Sequence, residues 1–227
     1  MAAKSNGLFL NRLAAATAFG LTLQFLATLG WIAISWPQGG VANIGQLDER
    51  MGDMIVDMLG EPNVFLSANL YNVSFGLTAL TLMVLLKERL SAAPIRAMLA
   101  LCWISGAAAL YVATGIVPLT AGDALIASAD KSALLSIVLV TKGLLLAATF
   151  MSGVGLFFAA WAALDTRFVH PALCGVMFAA ALIEMVEYSS PWFLILDPLL
   201  GTIWSLWLGA VLFRMREPIG TRRPATA

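Results

Sequence analysis

Charge is scarce in this chain. Of 227 residues, 13 are Lys or Arg and 13 are Asp or Glu, together 11%, against about 25% in an ordinary soluble domain. With 60% hydrophobic residues and a mean hydropathy of +0.89, there is too little polarity to cover a water-facing surface, and lipid is the expected solvent. The formal net charge of zero excludes the basic excess that phosphate binding requires, so no nucleic acid is expected as a partner. Cysteine is also rare. Cys102 and Cys174 fall in apolar segments expected at the same, cytoplasmic end, which argues against a disulfide on the far side and against a cysteine metal site. A single histidine, His170, makes neither a bis-histidine haem site nor a multi-histidine metal centre. No Ser/His/Asp set, phosphate-binding loop or paired intramembrane aspartate is present. Neither a metal nor a cofactor is expected.

What the chain has is length of apolar run. A spanning helix needs roughly 20 apolar residues, and six segments qualify: 13–36, 63–86, 95–117, 132–164, 171–188 and 198–213. The expected architecture is therefore all-α, a polytopic membrane bundle of six transmembrane helices in one membrane-embedded domain, 1–227. The first segment is too long for a signal-peptide core and is read as an uncleaved helix. Pro118 is expected to end the third. Pro198, capped by Asp197, is expected to start the sixth, with Pro191 as the alternative start. Between the first two spans, Met51, Met54, Ile55, Met58 and Leu59 share one helical face, while Glu49, Asp53 and Asp57 share the other. This predicts a short amphipathic helix over 48–59 at the outer interface.

With six spans, Lys4, Arg12, Lys87, Arg89, Arg96, Arg167, Arg214, Arg216, Arg222 and Arg223 all lie on one side. The other side holds only Arg50 and Lys131. The basic bias of short loops places the richer side, and both termini, in the cytoplasm of a cell inner membrane. Asp48, Glu49, Asp53, Asp57, Glu61, Asp123, Asp130 and Asp197 make the opposite face acidic.

Lys142, Glu184 and Glu187 fall inside apolar segments. A charge at the bilayer centre costs at least roughly 2.5–3.5 kcal/mol on insertion scales, so each needs a partner or water. At 1.5 Å per residue, Glu184 and Glu187 lie about 20 and 25 Å from the cytoplasmic boundary, with Asn72 and Asn69 at about 21 and 26 Å. Tyr71, Tyr111 and Tyr188 fall at nearly the same height, and Gln24 lies deeper in the first helix. These residues predict a polar layer in the outer third of the bundle, in which Lys142 pairs with Glu184 or Glu187. The same residues also read as an aromatic belt with interhelical polar glue.

Leu85-Leu86-Lys87-Glu88-Arg89 closing the second span, His170-Pro171 opening the fifth, and Trp204-Ser205-Leu206-Trp207-Leu208-Gly209 in the sixth give the chain its resemblance to an uncharacterised family of bacterial six-helix integral membrane proteins. Where an acidic residue is expected near the start of the last helix, this chain has Gly201-Thr202. The resemblance implies topology and no activity. Three functional readings follow. The first is a non-enzymatic accessory or sensory subunit. The second is a binder or transporter of a small molecule, lipid or ion that uses the outer polar layer. The third is a membrane enzyme with a glutamate acid/base. The lipid bilayer is the one partner common to all three, and another membrane protein is open to the first.

Overall fold

The computed structural model of the chain describes residues 2–35, 62–128 and 131–215. Among these there are six α-helices, α1 (Ala2–Ser35), α2 (Pro62–Leu86), α3 (Pro94–Ser128), α4 (Lys131–Asp165), α5 (Pro171–Val186) and α6 (Pro191–Arg214), and no strand. A 3₁₀ turn, Glu187–Ser189, links α5 to α6. Five of the helices, all but α5, are long and apolar enough to cross a membrane. The predicted amphipathic helix over 48–59 lies outside the described residues.

Proline sets most of the starts. Pro62, Pro94, Pro171 and Pro191 each open a helix, where the missing N–H costs nothing and φ is already helical. His170 caps α5 by accepting the Ala172 amide on Nδ1 at 3.2 Å. Ser190 caps α6 by accepting the Trp192 amide at 3.4 Å.

Three expected boundaries are corrected. Helix α1 begins at Ala2 rather than near 13; its early turns are held by Asn11, which is 1% exposed and accepts a 2.7 Å hydrogen bond from Arg89. Helix α3 runs through Pro118 to Ser128, because an apolar surrounding penalises any backbone that leaves the helix. The Thr120 hydroxyl bonds the Ile116 and Val117 carbonyls at 3.0 and 3.1 Å beside that proline. Helix α6 begins at Pro191, so Pro198 is internal and Asp197 is not a cap.

The helices close into a ring. Each packs on its sequence neighbours, and α6 packs back on α1. Every seam is antiparallel. At α1–α6, Phe19 lies on Gly209, Thr22 bonds Ser205 at 2.9 Å and Phe25 lies on Gly201. At α4–α5, Phe157 meets Phe178 and Gly153 meets the Ala181 carbonyl. Small residues let backbones approach in a medium that supplies no hydrophobic drive between helices.

The antiparallel register gathers Asn11, Arg89, Arg96, Asp165, Arg167, His170 and Arg214 at one end of the ring. Arg96 pairs with Asp165 there and stacks on Trp161 at 4.2 Å. The pair is about one-third exposed, which limits its value. Arg96→Met keeps the stem and removes the charge. It is expected to cost only about 0.5–1 kcal/mol, seen as a small drop in thermal midpoint in detergent.

Candidate functional site

The ring encloses a central cavity of about 60 Å³ to which all six helices contribute. Its inner part is hydrocarbon: Leu21, Leu82, Met83, Leu86, Leu156 and Leu208. Its other end is polar, formed by Ser152 of α4, Glu184 of α5 and Asp197 of α6, with Phe25, Phe75 and Trp204 alongside. No Lys or Arg lines it among the described residues. A volume of this size holds a few waters or one small ligand.

Helix and turn geometry bring the two carboxyl groups together. Glu184 sits in the last turn of α5, 7% exposed. The tight turn reverses the chain, and Asp197, about 9 Å inside α6 at helical rise, comes back to the same level. Ser152 and Glu184 line the same end of the cavity. Asp197 lines the same end of the cavity as Glu184, and Glu187 opens the turn that follows α5.

Beside this pair lies a second polar group, between α1 and α2. The Tyr71 hydroxyl is 2.7 Å from the Thr28 hydroxyl and donates at 3.3 Å to the Gln24 carbonyl. The Gln24 amide donates to Ser74 at 3.0 Å, leaving its buried Oε1 without a donor. Tyr71 stacks on Phe75 at 6.1 Å between ring centres, and Phe75 lines the cavity, so the two groups adjoin.

Of the residues singled out by sequence, Glu184 lines the cavity, Tyr71 and Gln24 are bonded to each other beside it, and Glu187 opens the turn. Tyr188 lies in the turn. Asn69 is buried at 7% exposure on the α2–α3 seam, where its carbonyl faces Gly115. Asn72 is half-buried on the same helix. Tyr111 is buried and packs edge-on against Phe75 at 5.0 Å between ring centres. Lys142 is not brought to the carboxyls. The register of α4 sets Ser152 level with Glu184, and Lys142 is ten residues away, about 15 Å along the axis. It is half-buried there and has an interaction of its own.

Two members of the site were missed. Asp197 was read as a cap in the outer loop, and Ser152 was not singled out. The signal for Asp197 was available in Ser190-Pro191, a capping residue followed by a first-turn proline, which places Asp197 about two turns inside a helix. Ser152 had none, since a lone serine in a spanning segment is ordinary.

Comparison with known family models, curated proteins and solved structures finds no match to this chain.

Proposed function

We propose that this protein is a six-span inner-membrane protein with cytoplasmic termini that binds a short, apolar-bodied amine in its central cavity as a sensory or accessory subunit. The observation that carries the reading is the cavity itself. Two carboxyl groups stand at one end of an otherwise hydrocarbon lumen with no basic side chain lining it. Carboxylates shielded from water need a cationic partner, and an ammonium head on a short alkyl body supplies both halves of the match.

The six-span topology is supported by the ring. Helix α5 has only 16 residues, but it lies antiparallel between α4 and α6 and is extended by the turn at Glu187–Ser189. The gathering of Arg89, Arg96, Arg167 and Arg214 at one end supports the cytoplasmic assignment of that end. A sensory or accessory role is favoured over a carrier because α3 and α6 continue unbroken through Pro118 and Pro198, whereas secondary transporters place their sites at interrupted helices.

Trp204 lines the cavity and reports on it. Titrating the full chain in lipid nanodiscs with ethylammonium chloride is expected to give a saturable change in tryptophan emission that is absent in Trp204→Phe and absent with sodium chloride. A non-saturable response, or the same response without Trp204, would falsify the reading.

A further inference from the structure

The seam between α1 and α2 differs from the others. Together with α5 on α6, it is one of the two least extensive contacts between neighbouring helices among the described residues. It is latched at two heights. Toward the carboxyl end, Thr28, Gln24, Tyr71 and Ser74 join the helices by hydrogen bonds. At the opposite end, Arg89 bonds Asn11. Between the latches lies an outward-facing groove of about 400 Å³, lined by Ala16, Thr17, Gly20, Leu77, Thr78 and Thr81.

Three features define what this groove admits. The three threonine hydroxyls are turned back on their own helices, bonding the Leu13, Ser74 and Leu77 carbonyls at 2.8, 2.7 and 2.7 Å. The surface left for a visitor is mixed, methyl groups and Cα atoms beside hydroxyl oxygens that are already bonded. The groove also backs directly onto the cavity. Gly20, Thr78 and Thr81 line the groove, and their chain neighbours Leu21, Ala79 and Leu82 line the cavity. Finally, Gly20 leaves space in that wall: a Cβ there would meet nothing nearer than the Thr78 methyl at 3.7 Å.

We infer that the span between the two latches is a lateral window through which the cavity's ligand passes from the hydrocarbon phase of the bilayer. The occupant of the groove is that ligand in transit, an amine in its uncharged form, because a full charge at this depth in the bilayer carries the intramembrane penalty. The inference rests on the amine-binding reading above and adds the route. The side chains of Leu21 and Leu82 are the parts of the wall that must move, and rotamer changes of leucine need no break in either latch.

A Cβ on Gly20 would lie 3.7 Å from the Thr78 γ-methyl, so cysteines at these two positions would face each other across the seam. In a chain with Cys102 and Cys174 replaced by Ser and Ala, the pair G20C and T78C can be oxidised to close the window and reduced to reopen it. Ethylamine association is followed by stopped-flow Trp204 emission in nanodiscs. The oxidised form is expected to associate at least tenfold more slowly than the reduced form at unchanged equilibrium affinity, and the reduced form matches the parent chain. Gly20→Leu, which fills the groove without a cross-link, is expected to slow association in the same way. Equal rates in the oxidised and reduced forms, with binding intact, would place access elsewhere and overturn the window alone. No binding in the reduced form or the parent chain would overturn the amine reading and the window together.

Discussion

Glu184→Gln is expected to weaken ethylammonium binding by about 100-fold, and Asp197→Asn by a similar factor, while neither lowers the thermal midpoint of the empty protein. The size follows from the setting. Losing one partner of a buried charge pair costs about 2–5 kcal/mol, and about 2.7 kcal/mol is a 100-fold change in affinity. The opposite sign on stability follows from the same facts. In the empty protein Glu184 is 7% exposed, and the lining around it is largely aliphatic and aromatic. An amide of the same shape keeps the packing around the site and lowers the cost of burial. The midpoint is expected to hold or to rise by roughly 2–4 °C, the shift about 1 kcal/mol gives in a chain of this size. The two readouts separate a ligand site from structural glue. If Glu184 and Asp197 only tied helices together, their replacement would lower the midpoint and leave any amine binding untouched. Both measurements use the full chain in nanodiscs, with binding read from Trp204 emission and stability from thermal unfolding.

How much of this was legible without coordinates varies with the physics involved. Helix existence was, because apolar length is a strong signal and lipid permits few alternatives to a helix. Starts at Pro62, Pro94 and Pro171 were close to the expected positions, since proline at a first turn has a local cause. Pro118 was misread for an equally physical reason. The rule that proline ends a helix is a rule for water, where the freed carbonyl and the departing backbone find solvent. In an apolar bundle the helix continues, and a hydroxyl such as that of Thr120 bonds nearby carbonyls.

The site was legible in part. Depth arithmetic set Glu184 near the height of Tyr71 with Gln24 deeper, and the structure bonds Tyr71 to Gln24 beside the cavity that Glu184 lines. Pairing was not legible, because depth along one helix says nothing about which neighbour it faces. Lys142 looked like the natural counter-charge by composition, yet the antiparallel setting of α4 on α5 offers Ser152 to Glu184 instead. The start of α6 mattered more than any other boundary. Moving it from Pro198 to Pro191 turned Asp197 from a loop residue into the second carboxyl of the cavity.

Gly115→Ala and Gly76→Ala are each expected to destabilise the protein by about 1–3 kcal/mol, the range for overpacking a close contact, and the double variant by more than either. The two glycines face each other's helices across one seam. A Cβ on Gly76 would lie 2.8 Å from the Tyr111 Cβ and 2.9 Å from the Ala108 carbonyl oxygen. A Cβ on Gly115 would run into the Asn69 carbonyl oxygen and lie 2.5 Å from the Val73 methyl. Backbone oxygens and Cβ atoms cannot swing aside, so the added methyl pushes α2 away from α3. The damage reaches the cavity, because Phe75 lines it and packs on Tyr111 across the same seam. Two other glycines provide the controls. A Cβ on Gly106 would meet only the end of the Met151 side chain, and methionine repacks easily. Gly175 would meet nothing within 4 Å. Gly106→Ala is therefore expected to be near neutral, and Gly175→Ala to be neutral or stabilising by up to about 1 kcal/mol through helix propensity. Thermal unfolding of the four single variants in detergent ranks them. The seam argument is wrong if Gly175→Ala destabilises as much as Gly115→Ala, since that would make glycine loss itself, and not the closeness of α2 to α3, the cause.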